Sequence, residues 1–131
     1  MKIAALIARI LLGIEFIVFG LNTFLQFIHM PMPTGLAGQF AGVLFASKYM
    51  HVVAVFQIIG GILLLANSFV PLALTVLGAI GVNILLYHAL MAPEGLPLAV
   101  VTAVLWLLVF IPVRAAFAGI VARRVEGARA N

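Results

Sequence analysis

The chain has 131 residues, of which 66% are hydrophobic and only 8% charged, with a formal charge of +4 and no cysteine. A soluble domain of this size could not carry so much apolar surface, so lipid is its solvent and outward Leu, Ile, Val and Phe carry no penalty. The small charge lies mainly at the chain ends and describes no nucleic-acid surface, while the lack of cysteine removes disulfide exchange, thiolate zinc sites and iron–sulfur ligation.

The first apolar run, Ile3 to about Ile28, is long enough to cross a bilayer and holds Glu15 near its middle. No small-residue cleavage site follows a short apolar core, so this run is expected to be a retained span rather than a signal peptide. It ends at Met30-Pro31-Met32-Pro33-Thr34-Gly35, a strong helix breaker. Residues 36–47 put Leu36, Phe40, Val43 and Leu44 on one side of a helix too short to span, which predicts a surface-lying or re-entrant piece. A second span covers about 50–66 and stops at Asn67-Ser68. The third starts at Pro71, suited to a first helical turn, and covers about 71–90. After Ala92-Pro93-Glu94-Gly95-Leu96-Pro97 the fourth runs over about 97–120, leaving a tail at 121–131.

The expected fold is therefore all-α: one integral membrane four-helix bundle with a short interfacial or re-entrant helix between its first two spans. Lys2 and Arg9 lie at one chain end and Arg114, Arg123, Arg124 and Arg129 at the other, so four crossings place both termini in the cytoplasm. The short connections between spans two, three and four favour antiparallel neighbours. Gly13 and Gly20, Gly60 and Gly61, and Gly78 and Gly81 would permit close backbones, within the chain or in a homo-oligomer.

Depth can be counted at about 1.5 Å per residue. Glu15 and Asn83 each come out about 18 Å from the cytoplasmic end of their helix, Gln57 within about a turn, and Thr102 and Trp106 bracket the same level. A carboxylate at mid-membrane is costly unless it faces protein, water or a ligand. Glu15, Asn22, Gln26 and His29 share one helical stripe, which should face the bundle interior. Asn83 and Tyr87 share a face of the third span, with His88 beside them. Glu15, Asn22, Gln57, Asn83, Tyr87 and His88 are accordingly the candidate ligand-binding or proton-relay residues. No catalytic residue is nominated.

Two competing readings attach to these positions. His29, His51 and His88 all lie toward the non-cytoplasmic face, where they could bind a metal, but histidine also rests comfortably at a membrane interface. No Glu-x-x-His or His-x-x-x-His pattern supports a preformed metal site, so none is assigned. Glu15 could instead be a structural ion pair with Arg9 or Arg114. Arg9 is turned from it by about 120° and Arg114 would have to reach inward, so both arginines are expected to contact lipid headgroups.

Gly20-Leu21-Asn22-Thr23-Phe24, the Met30-Pro31-Met32-Pro33 turn with Gly35-Leu36-Ala37-Gly38, Gly60-Gly61, Val82-Asn83-Ile84, His88 and Pro93-Glu94-Gly95-Leu96-Pro97 follow one another in a spacing that resembles the DoxX family of small bacterial membrane proteins. The resemblance runs from about Ala8 to about Phe117. It implies a four-span bundle in the bacterial inner membrane and an association with membrane redox complexes, the family name deriving from a subunit associated with a thiosulfate:quinone oxidoreductase. Thr23 and Gln57 stand where the family commonly carries lysine and glutamate, so the resemblance implies no charged pair there.

Three functions are compatible with these features. The first is a redox-associated subunit that binds a quinone or other lipophilic molecule in a polar intramembrane pocket. The second is a transport or permeation component for a small solute or protons, which four short spans without an internal repeat equip poorly. The third is a structural or assembly subunit of a membrane complex. The expected partners are membrane lipid, a lipophilic ligand, and a further copy or a membrane redox protein, with no nucleic acid. No nucleotide loop or catalytic triad marks an autonomous enzyme.

Overall fold

The computed structural model describes residues 2–127. Five helices account for most of them: α1 (Lys2–Leu25), α2 (Gly35–Ala46), α3 (Tyr49–Leu65), α4 (Val70–Leu90) and α5 (Leu96–Val113). Single 3₁₀ turns, Pro93–Gly95 and Arg114–Phe117, flank α5. The architecture is an all-α membrane bundle. The last four residues of the expected 121–131 tail lie outside the described residues.

Helices α3, α4 and α5 pack as successive neighbours, and α1 closes the ring by lying between α3 and α5. That leaves α1 and α4 on opposite corners. Leu12, Leu64, Leu74 and Leu77 are fully buried between the helices, joined by Ala8, Phe16, Ala73 and Val109. This core lies toward the end of the bundle that carries Lys2 and Arg114. Most remaining large apolar side chains face outward, as they should where hydrocarbon replaces water.

The α1–α3 contact is the closest in the bundle, and glycine makes it possible. A Cβ on Gly61 would lie 2.7 Å from the Gly13 carbonyl oxygen, and one on Gly13 would lie 3.0 Å from the Gly61 oxygen. The Gly13 and Gly20 face is thus consumed within the chain. Arg9 reinforces the same seam: its guanidinium donates to the Leu64 and Leu65 carbonyls at the end of α3, where the Leu64 oxygen also accepts the Asn67 backbone N–H.

Two boundaries differ from the sequence expectation. α1 stops at Leu25 rather than near Ile28, because the Asn22 side chain takes the Ile28 backbone N–H at 2.7 Å and Gln26 turns left-handed (φ 51°). Gln26 and His29 therefore leave the Glu15 stripe. α5 ends at Val113, about seven residues early: Pro112 supplies no backbone N–H there, and the following 3₁₀ turn brings Phe117 back to Phe110, ring centres 5.1 Å apart. The short helix predicted over 36–47 is α2, and it meets α3 at 81° across Ser47 and a left-handed Lys48.

Three segments, α1, α4 and Pro93–Phe117, are each long and apolar enough to cross a bilayer alone. The bent pair α2 and α3 reaches the length and apolarity of a fourth span only when its two helices are taken together. α3 has 17 residues, about 26 Å of helix, slightly under a typical hydrocarbon thickness.

Candidate functional site

Glu15 projects from α1 toward α5, where its Oε1 accepts a hydrogen bond from the Thr102 hydroxyl. Thr102 is 6% exposed, and its hydroxyl also lies 2.9 Å from the Leu98 carbonyl one turn back on its own helix. The second carboxyl oxygen of Glu15 is buried and has no partner. Gln57 of α3 is 4% exposed, and its Oε1 is buried without a partner as well.

The register of the helices sets their heights. Gly13 faces Gly61, and Gly20 faces Ala54 and the Gln57 Cβ, so Gln57 lies within about one helical turn of Glu15. Three helices therefore bring polar side chains to one level of the bundle. Arg9 is engaged with the end of α3 and Arg114 with the Ile111 carbonyl at 2.7 Å, so Thr102, not an arginine, holds the acid.

Beside this layer a groove of about 460 Å³ opens between α4 and α5. Gly78, Ala79 and Gly81 on α4 and Ala103 on α5 keep its walls thin, Phe16 of α1 closes its back, and Thr102 stands in its wall. Its lining is almost wholly apolar. Trp106 flanks it, with the indole against Gly78 and Nε1 donating to the Leu74 carbonyl at 2.9 Å. The ring also stacks on Phe110 at 5.1 Å and 13° between planes.

The other predicted site residues are elsewhere. Asn83 is at the expected height but faces outward, its amide donating to the Ala79 carbonyl at 2.8 Å. Back-bonding of this kind lets a polar side chain spend a donor on its own helix. Asn22 is occupied in ending α1. Tyr87 and His88 stand two and three residues beyond Leu85, the last α4 residue in the groove wall, about 3–5 Å farther along the helix, and neither lines the groove. There Tyr87 stacks on Phe40 of α2 at 5.8 Å, and His88 meets the Tyr87 ring edge-on at 5.0 Å. His88 Nδ1 pairs with the Ala92 carbonyl at 3.0 Å, and its ring fills the space a Cβ on Gly95 would need. These two aromatics pin α2 and the α4–α5 turn in place.

The histidines do not converge. His51 sits between the edges of Phe24 and Phe45, His88 at the α4–α5 turn, and His29 is exposed beyond α1. Of the six nominated residues, Glu15 and Gln57 share the buried polar layer. Thr102 and Trp106 were placed at its level by depth but not nominated. Their signal was available: they are the only side chains with a polar handle in the fourth span's apolar interior.

Comparison with curated proteins finds no match, and comparison with solved structures finds none. The DoxX family model matches residues 4–90, which holds α1 to α4, Glu15 and Gln57, and leaves α5 with Thr102 and Trp106 beyond its limit. That match covers well over half the chain and agrees with the motifs, so the chain belongs to the DoxX family of membrane proteins.

Proposed function

We propose that this protein is a redox-associated membrane subunit that holds a quinone-like or other lipophilic small molecule in the groove between α4 and α5. One observation carries the reading: an apolar, lipid-facing groove has at its wall the Thr102 hydroxyl, hydrogen-bonded to a half-buried carboxyl group. Small-molecule sites are mainly apolar with a few placed polar groups, and this groove has that composition. A ligand entering from the bilayer would slide its tail along Gly78 and Gly81, meet the Trp106 face, and bring its polar head to Thr102 and Glu15. The site so built differs from the sequence expectation in using Thr102 and Trp106 in place of Asn22, Asn83, Tyr87 and His88.

The proposed setting is the bacterial inner membrane with both termini cytoplasmic. Support comes from the basic residues at Lys2, Arg9 and Arg114 on one end of the bundle, against Lys48 and Glu94 on the other. The redox association rests on the family and on the apolar character of the groove.

Trp106 is the only tryptophan in the chain and lies in the groove wall, so its fluorescence reports occupancy. Titration of the protein in nanodiscs with a short-chain ubiquinone analogue should quench Trp106 saturably. Gly81→Leu is the matched control: a Cβ there meets nothing within 4 Å, so the larger side chain fills the groove without a backbone clash. Saturable quenching lost in Gly81→Leu supports the reading, whereas quenching that rises linearly and equally in both proteins would discard it.

A further inference from the structure

We infer that residues 114–125 form a strap lying in the membrane surface, and that its partner is the anionic headgroup layer of the bilayer. The inference does not depend on what the groove holds. It begins with the early end of α5. The 18 residues from Leu96 to Val113 give about 27 Å of helix, close to one hydrocarbon thickness, so Arg114 stands at the boundary. The chain then turns back instead of running straight out. Successive tight turns close from the Ala118 N–H to the Ala115 carbonyl, Ile120 to Phe117 and Ala122 to Gly119, at 3.3, 3.0 and 3.4 Å. Phe117 returns against the buried core, and both Phe117 and Ile120 sit in the groove wall.

The residues that follow suit neither water nor hydrocarbon alone. Ile120, Val121 and Val125 are 71%, 83% and 81% exposed, which water penalises. Arg123 and Arg124 are exposed between them, and hydrocarbon penalises these. The headgroup boundary accepts both kinds, with apolar side chains dipping inward and guanidinium groups reaching phosphate. Arg114 joins them: its Nη1 donates to the Ile111 carbonyl at 2.7 Å, which leaves other N–H groups of its fork to give. Against these three arginines, residues 114–127 carry one acid, Glu126, so the segment is net positive. That charge complements an anionic surface, where each arginine strengthens attachment by about fivefold. Attachment in turn keeps Phe117 and Ile120 in the groove wall.

The test places a nitroxide at Val121→Cys in the otherwise cysteine-free chain, held in nanodiscs of phosphatidylcholine with or without phosphatidylglycerol. Collision with a neutral, water-soluble nickel chelate reports whether the strap is docked. The label should be shielded when phosphatidylglycerol is present. Arg123→Gln with Arg124→Gln should lower the docked-to-free ratio by on the order of 25-fold, fivefold per arginine. High salt should release the strap in the same way. Equal exposure of the label in both bilayers overturns the inference. Shielding that survives the double substitution does so too, because the apolar residues alone would then hold the strap. Shielding that appears only with two chains in one disc would assign the surface to a second copy and likewise overturn it.

Discussion

Thr102 shows how much depends on a single hydroxyl. Its neighbours leave Glu15 one side-chain hydrogen bond in an apolar surrounding, and an acid without that bond would be left with two unpaired oxygens. Thr102→Val, nearly isosteric, should therefore destabilise the bundle by about 1–2 kcal/mol, and Thr102→Ser should restore most of the loss. Reversible unfolding in mixed micelles measures both. Arg9 presents the opposite case, a charge whose role is mechanical. Its guanidinium covers the carbonyls at the end of α3, so Arg9→Gln should cost about 1 kcal/mol in the same assay, with no change in ligand quenching of Trp106.

At the scale of helices, close approach rather than polarity binds α1 to α3. Gly61→Val would drive side-chain atoms into the Gly13 carbonyl and Ile17, and should destabilise by about 1–3 kcal/mol. Gly42→Ala on α2 meets nothing within 4 Å and should be neutral or slightly stabilising, since alanine is the better helix former. The pair separates a packing glycine from one that is merely tolerated.

Element existence was legible because twenty-odd apolar residues between Pro and Gly breakers leave little choice but a spanning helix. Helix ends and faces were less legible. The stop at Leu25 depends on Asn22 folding back on Ile28, a tertiary choice that periodicity does not encode. Asn83 had the right depth and the wrong face, because a uniformly apolar helix such as α4 gives no rotational signal to say which side is inward. Glu15 was legible for the opposite reason: one carboxylate in a span has few tolerable surroundings, and the interior is the cheapest.

For the whole molecule, the ring α1–α3–α4–α5 brings the first and last spans together and gives Glu15 a partner 87 residues away. The family match ends at Leu90, so the α5 wall of the groove lies in the part of the chain where the family pattern is silent. The ring also fixes which loops share a side. Since the chain has no cysteine, Ser68→Cys and Glu94→Cys are clean single probes. Ser68→Cys should react with a membrane-impermeant maleimide only from the cytoplasmic face, and Glu94→Cys only from the opposite face. Labelling of both from one side would contradict the proposed topology.

The central claim is that a lipophilic molecule occupies the space between α4 and α5 beside the Thr102–Glu15 pair. Native mass spectrometry of the protein released from its own membrane tests it most directly. The account predicts a discrete apolar adduct on the unaltered chain that disappears in Gly81→Leu; a bare protein mass, or an adduct retained equally by that variant, would contradict it.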